Sequence, residues 1–290
     1  MKYFIAFPIT LNCNLRCYYC FHEEKFRTNY AGRRRFTIPQ YNKFRDTHLK
    51  NAEEIVVHFH GGETFIDMNI NTIVAFMKST KVEKADLLTN GLLPLENYKK
   101  ILPFKDRIHR IGFTYHRKMI HDVDSYNKLY EQNVKFMHEQ GVKTYVKELL
   151  FIELREEIKE SKRYWKGQGI DFHVQDFKGC DRGRSQEEVK NYTAEDYLLM
   201  HGEYKHGGTT CSCMKGYRNI LIRGGWNDGD ILACFEDPKV IGNIQDNTFK
   251  PNYTIFKDRK KGRIDVQGVG EVYKGTFERD TYTPKQCGSN

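Results

Sequence analysis

The first 177 residues of the 290-residue chain alternate between short apolar runs and longer segments that carry helix signals. The runs predicted as strands span residues 3–9, 54–59, 85–88, 110–115, 143–152 and 171–177. Helices are predicted between them, over residues 37–51, about 69–80, about 95–102, 124–140 and 155–168. Consecutive strands that are joined by crossover helices form a parallel sheet. These units predict an α/β fold: a partial (β/α)6 barrel over residues 1–178, with a small extension of β-hairpin and helix over 179–290.

The composition of the chain argues against a membrane-spanning protein. Its mean hydropathy is -0.70, and no stretch approaches the roughly 18 consecutive apolar residues of a membrane helix. The first residues, MKYFIAFPIT, contain neither a long apolar core nor a small-residue cleavage site. We therefore predict a soluble, cytoplasmic protein with no membrane partner. The net charge of +9 suits an acidic peptide, a nucleotide or a nucleic acid, although a solvated basic surface explains it equally well.

Three cysteines, Cys13, Cys17 and Cys20, follow the first predicted strand within eight positions. Three thiols cannot all pair as disulfides, and a cytoplasmic protein keeps its thiols reduced. These cysteines are therefore predicted to bind a metal or a cluster. Zinc is the common alternative, but structural zinc sites usually take their ligands as two pairs, unlike this compact run. Three sulfur ligands would leave one coordination position open to an outside ligand.

The spacing C-x3-C-x2-C, with the aromatic Tyr19 just before the third cysteine, resembles the radical S-adenosylmethionine (SAM) enzymes. The resemblance implies that Cys13, Cys17 and Cys20 hold a 4Fe-4S cluster. Its open iron would bind the amino and carboxylate groups of S-adenosylmethionine (AdoMet). Tyr19 would then pack near the adenine of that cofactor.

A second motif, HFHGGET, ends the second predicted strand. Two adjacent glycines, Gly61 and Gly62, let the backbone approach a ligand closely, and the acidic Glu63 beside them can take a cationic amine. An isolated Gly-Gly pair would be read as a plain turn. In the radical SAM family the matching segment is GGE, usually followed by Pro, and it contacts the amino group of AdoMet. This chain has Thr64 in place of the Pro. The departure is mild, because the Pro shapes the turn and is not a ligand.

A third motif, LLTNG, ends the third predicted strand. Thr89 and Asn90 are short polar residues that could bind a sugar hydroxyl, and by resemblance they contact the ribose of AdoMet. Thr114 and His116 occupy a similar position on the fourth strand. For His116, the role of a polar residue on the barrel rim is favoured over a contact with the cofactor. Three motifs on successive strand ends together predict an AdoMet site at the carboxyl edge of the sheet.

Five further cysteines lie in the C-terminal third of the chain. Cys213 and Cys234 flank two strand-like runs joined by a turn rich in Gly, Asn and Asp, so a hairpin would bring their sulfurs close. This segment resembles the SPASM and twitch extensions, which implies one auxiliary 4Fe-4S cluster held by Cys211, Cys213, Cys234 and Cys287. Cys180 is then left as a hydrogen-atom donor to a substrate radical, a substitute ligand or an inert buried thiol.

The resemblance implies an oxidoreductase or maturase that cleaves AdoMet reductively and abstracts a hydrogen atom from a substrate C–H bond. The electron would come from a donor such as flavodoxin or ferredoxin. The leading prediction is cross-linking, oxidation or epimerisation of a ribosomally made peptide or protein. Dehydrogenation of a small molecule, such as an aminocyclitol alcohol, is the alternative, because the chain begins at its first strand. A non-catalytic, metal-bound nucleic-acid module would use the positive charge but leaves the GGE and TNG placements unexplained.

Overall fold

A computed structural model describes residues 1–10, 12–20, 37–79, 83–175, 193–201, 217–222, 229–234, 237–250, 263–266 and 270–273. The strands of the main sheet are β1 (Lys2–Thr10), β2 (Glu54–Gly61), β3 (Glu83–Thr89), β4 (Ile108–Tyr115), β5 (Thr144–Leu149), β6 (Asp171–Gln175), β7 (Tyr217–Ile222), β8 (Asp230–Cys234), β9 (Asp237–Asn243) and β10 (Thr248–Phe249). A separate antiparallel pair is formed by β11 (Arg263–Val266) and β12 (Gly270–Tyr273).

The helices are α1 (Ile38–His48), α2 (Asp67–Ser79), α3 (Leu95–Lys99), α4 (Arg117–Ile120), α5 (Asp124–Glu139), α6 (Arg155–Gly167) and α7 (Ala194–His201), with short 3₁₀ turns at Leu102–Arg107 and Ile152–Leu154. The first of these begins as its sequence predicts. Thr37 and Gln40 form a reciprocal capping box, and a proline stands in the first turn. Among the described helices, none has the length and hydropathy that a membrane crossing requires.

The main sheet has ten strands in the order β10-β9-β8-β7-β1-β2-β3-β4-β5-β6. Strands β1 to β6 are parallel and lie side by side in chain order. This confirms the predicted succession of strand and crossover units. The sheet ends at β6 on one side and at β10 on the other, so the described strands form an open partial barrel.

Alternate residues of the parallel strands face the helices and form the main core. Ile5, Val57, Leu87 and Phe113 are buried there against residues of the surrounding helices. The fifth strand is shorter than the predicted 143–152, because the chain leaves the sheet after Leu149 and turns into the 3₁₀ segment. The other predicted strands and helices agree with the observed elements to within a few residues at their ends.

In the C-terminal region, strands β7 to β10 extend the barrel sheet. β7 and β8 are antiparallel neighbours, with Leu221 opposite Leu232, which confirms the predicted hairpin. β7 also pairs in parallel with the outer side of β1, a neighbour that the sequence did not indicate. The division into two domains at residue 178 stays a prediction.

On the face of the sheet opposite the helices, Tyr145 of β5 lies across Gly112 of β4. The two residues are paired in the sheet, and a Cβ atom on Gly112 would lie 2.3 Å from Tyr145 Cζ. The guanidinium of Arg110 lies over the same ring, 5.0 Å from its centroid. Gly112 is therefore required by the close approach of the Tyr145 ring, which Arg110 also contacts.

We expect Gly112→Ala to destabilise the protein by about 1–3 kcal/mol, because the added methyl forces the buried ring of Tyr145 to move. Chemical denaturation of the variant measures this change. Gly167→Ala serves as the control, since a Cβ atom there meets nothing within 4 Å. Adding Tyr145→Ala to Gly112→Ala should remove most of the steric cost. Strictly additive losses in this double variant would contradict the explanation.

Candidate active site

The three cysteines predicted to bind a cluster lie on the loop that follows β1. Cys17 is buried, and Cys13 and Cys20 are partly buried. The backbone N–H of Cys20 donates to the carbonyl of Cys17 at 3.0 Å, which closes a turn. The backbone N–H of Leu15 donates to Cys13 Sγ at 3.4 Å. Reduced thiols with hydrogen-bond donors beside them are a donor set that fits an iron-sulfur cluster.

A single metal ion would need several side chains that converge on one point. Within the described ranges, no three His, Cys, Asp or Glu side chains are arranged in this way. That finding does not bear on a cluster, because each cysteine of a 4Fe-4S cluster binds a different iron.

Glu63, of the GGE motif, ties the end of β2 to the end of β3. Its carboxylate is fully buried. One oxygen accepts hydrogen bonds from the Phe65 N–H at 2.8 Å and from the Thr89 hydroxyl at 2.7 Å. The other oxygen accepts from the Asn90 N–H at 2.7 Å. Burial raises the pKa of Glu63 to about 7, against the effect of these hydrogen bonds.

The cysteine loop is joined to both of these strand ends. The Glu63 N–H donates to the carbonyl of Asn12 at 2.7 Å. The side-chain amide of Asn90 donates to Asn14 Oδ1 at 2.7 Å and to Cys13 Sγ at 3.7 Å. The predicted cluster loop, GGE motif and TNG motif are therefore one hydrogen-bonded unit at the carboxyl edge of the sheet.

Tyr19 joins the same loop to the ends of β4 and β5. Its ring is 3% exposed and packs edge-on against Phe151, with ring centroids 5.1 Å apart. Its hydroxyl lies 3.2 Å from His116 Nδ1. Burial, followed by the nearby charge of Lys147, lowers the pKa of His116 to about 4, so this imidazole is neutral at pH 7. A neutral ring can accept a hydrogen bond from Tyr19 at Nδ1.

The other predicted AdoMet contacts lie at the same edge. Gly61 ends β2 with φ of +136°, a conformation that favours glycine, and Gly62 follows it. Thr64, which stands where the family has Pro, is buried. Thr114 is buried on β4, opposite Lys147 of β5. It stays a prediction that AdoMet is contacted by the GGE and TNG residues, Tyr19, Thr114 and His116.

The predicted auxiliary-cluster ligands fall almost entirely outside the described residues. Cys211, Cys213 and Cys287 lie there, and so does Cys180, the predicted hydrogen-atom donor. Cys234 is the last residue of β8, on the strand that pairs with β7. Its role as a ligand stays a prediction.

The sequence analysis missed a polar network on the face of the sheet opposite the helices. Asp86 is fully buried; it lies 2.9 Å from His58 Nδ1 and accepts a hydrogen bond from Arg110 Nε at 2.6 Å. Burial alone would raise the pKa of Asp86, but His58 and Arg110 together lower it below the usual value. A usable signal was present, because polar residues at alternate positions of an otherwise apolar strand mark its second face.

No model of a known protein family matches the chain, and no curated protein matches its sequence. Among solved structures, native anSMEcpe with bound AdoMet and Cp18Cys peptide is similar, with a TM-score of 0.54 and 17% identity over 90% of this chain and 85% of that chain. SuiB of Streptococcus suis is similar with a TM-score of 0.50 and 18% identity, over 80% of this chain and 60% of that chain.

These similarities establish the fold. The chain shares with these two proteins an open, partial α/β barrel, as its succession of strands predicted.

Proposed function

We propose that this chain is a radical SAM enzyme in which Cys13, Cys17 and Cys20 hold a 4Fe-4S cluster that binds AdoMet. One observation carries the proposal. The cysteine loop, the GGE residue Glu63 and the TNG residue Asn90 are joined by hydrogen bonds at the carboxyl edge of a parallel sheet. Sites in such sheets lie at that edge. The fold shared with AdoMet-bound anSMEcpe supports the same assignment.

A 4Fe-4S cluster held by Cys13, Cys17 and Cys20 would supply the one-electron chemistry for cleaving AdoMet and for abstracting a hydrogen atom from the substrate. The chain's own residues bind and orient the reactants and exclude water. Gly61 and Gly62 offer backbone without side chains next to the cofactor. Tyr19 and Phe151 offer a buried aromatic wall beside the cysteine loop, which suits an adenine ring.

The polar contacts of AdoMet are assigned to the same edge. Glu63 adds negative charge near the cofactor's ammonium group, although its two oxygens already accept three hydrogen bonds. Thr89 and Asn90 lie on the ribose side by the family resemblance. Thr114 and His116 complete this set on β4.

We assign a peptide as the substrate class. The anSMEcpe structure contains both AdoMet and the Cp18Cys peptide, and its similarity extends over 90% of this chain. The net charge of +9 favours a peptide with acidic residues. The modification would be an oxidation, a cross-link or an epimerisation.

The function is tested with protein that has been reconstituted anaerobically with iron and sulfide. With dithionite and AdoMet it should release 5'-deoxyadenosine and methionine in equal amounts, slowly in the absence of substrate. A peptide encoded next to this gene should accelerate the release and lose two hydrogen atoms, or incorporate solvent deuterium if it is epimerised. Bound zinc with little iron, and no cleavage of AdoMet, would refute the proposal. Acceleration by an aminocyclitol alcohol in place of the peptide would assign the small-molecule alternative.

We also propose one auxiliary 4Fe-4S cluster in the C-terminal region. β7 and β8 are antiparallel, so Cys234 at the end of β8 lies toward the start of β7. In the sequence, β7 starts four residues after Cys213. This placement would let Cys213 and Cys234 act as ligands together with Cys211 and Cys287. An auxiliary cluster could accept the electron of the substrate radical or bind the substrate.

Two 4Fe-4S clusters would give the wild type about eight irons per chain. We expect the double variant Cys213→Ala and Cys234→Ala to keep about half of them, because the first cluster lies on a separate loop. AdoMet cleavage should persist while peptide product is lost. Iron analysis and product mass spectrometry measure the two effects. A circular-dichroism melt must accompany them, since losing a cluster also removes folding free energy. A folded double variant with full iron content and normal turnover would show that these residues are ordinary hairpin thiols.

A further inference from the structure

Asn90 uses its side chain to hold the cysteine loop. The side chain is 4% exposed, and its Oδ1 accepts the backbone N–H of Leu92 at 3.0 Å. A backbone N–H can only donate, so the oxygen of the amide must face Leu92. The nitrogen therefore faces the loop, where it donates to Asn14 Oδ1 at 2.7 Å and lies 3.7 Å from Cys13 Sγ.

The position of Asn90 is itself fixed by Glu63. The Asn90 N–H donates to the buried Glu63 carboxylate at 2.7 Å, and the neighbouring Thr89 hydroxyl donates to the same group. A hydrogen bond of 2.7 Å is at the short end of the usual range, and this one lies on a fully buried group. Asn90 is thus held from its backbone side and has little freedom to withdraw its amide from Cys13.

We propose that Asn90 positions Cys13 and, by donating an N–H to its sulfur, raises the reduction potential of the cluster. This inference rests on the proposed function, in which Cys13 is a cluster ligand. A hydrogen-bond donor at a ligand sulfur stabilises negative charge there. The reduced cluster carries one more electron than the oxidised one, so the donor stabilises the reduced form more. One electron from the external reductant is taken up, and no bond in the protein forms or breaks.

The test compares the midpoint potential of the reconstituted cluster in wild type and in Asn90→Ala, by titration with dithionite monitored by electron paramagnetic resonance without AdoMet. Loss of one hydrogen bond to sulfur should lower the one-electron equilibrium constant for reduction by about threefold to tenfold. Asn97→Ala is the matched control, because it removes a buried amide that donates to the Phe65 carbonyl at 2.8 Å instead of to a cysteine sulfur. Its potential should equal that of wild type.

Two charged variants decide the outcome if Asn90→Ala holds too little cluster to titrate. Asn90→Asp keeps the acceptor for Leu92 but loses the donor to Cys13, whereas Asn14→Asp adds a similar charge and keeps that donor. A potential that is lower in Asn90→Asp than in Asn14→Asp supports the proposal. Equal potentials in these two variants, or an unshifted potential in Asn90→Ala, would overturn it while leaving the proposed function intact. Failure of the wild type to bind an iron-sulfur cluster would instead refute the proposed function.

Discussion

Replacement of Cys17 by alanine is expected to abolish AdoMet cleavage. Cys17 is a buried cysteine at the centre of the three-cysteine loop, and its carbonyl accepts the N–H of Cys20 at 3.0 Å. Two remaining thiolates would hold a 4Fe-4S cluster too weakly to present an open iron to AdoMet. Iron content per chain and the amount of 5'-deoxyadenosine formed with dithionite measure the loss.

Tyr18→Phe is the matched control for this variant. Tyr18 lies in the same loop between two of the cysteines, and its side chain is largely exposed. The substitution keeps the ring and removes only a hydroxyl, so the control should bind iron and cleave AdoMet as wild type does. Normal cleavage of AdoMet by Cys17→Ala would show that the cluster is held elsewhere.

The second large effect is expected in the pH dependence of stability, from Glu63. Burial raises the pKa of this carboxyl from 4.5 to about 7 in the folded chain. Between these two values the unfolded chain has lost the proton and the folded chain still holds it, so the folded state binds more protons. Raising the pH from 4.5 to 7 should therefore reduce the free energy of unfolding of wild type, relative to Glu63→Gln, by about 3 kcal/mol.

Chemical denaturation of the cluster-free protein under reducing conditions, at several pH values, measures this difference. Glu160→Gln is the control, because Glu160 is exposed on α6 and its loss should leave the pH dependence of wild type unchanged. Parallel stability curves for wild type and Glu63→Gln over this pH range would disprove the raised pKa. In Glu63→Gln an amide nitrogen takes the place of one side-chain oxygen, and this nitrogen cannot accept a hydrogen bond. A buried donor such as the Asn90 N–H then loses its acceptor, so the variant should be less stable than wild type at pH 4.5.

The strand and helix succession was predictable because it depends on local patterns. The parallel strands of the barrel come from largely apolar runs, and they are 5 to 9 residues long. α1 starts at a capping box and has a proline in its first turn. Parallel neighbours in chain order then follow from the crossover rule. The order of the three motifs along the chain was sufficient to place them all at the carboxyl edge, because each one follows a strand directly.

The partners of the site residues were not predictable in this way. Glu63 and Asn90 are 27 residues apart, and the sequence assigned them to the cofactor separately. The structure directs the carboxylate of Glu63 to β3, and directs the amide of Asn90 to the cysteine loop. Such pairings depend on the register between strands and on the path of the loop, and neither leaves a local pattern.

The amino-acid sequence alone therefore determined which residues reach the carboxyl edge: the thiols, the glycines, Glu63 and the TNG turn. Residue type and position after a strand are local properties, and they carry this information. Tertiary structure alone decided that Tyr19 meets His116 across 97 positions of the chain, and that β7 pairs with β1. Hydrogen bonds and sheet pairings between distant segments depend on distances that form only when the whole barrel packs.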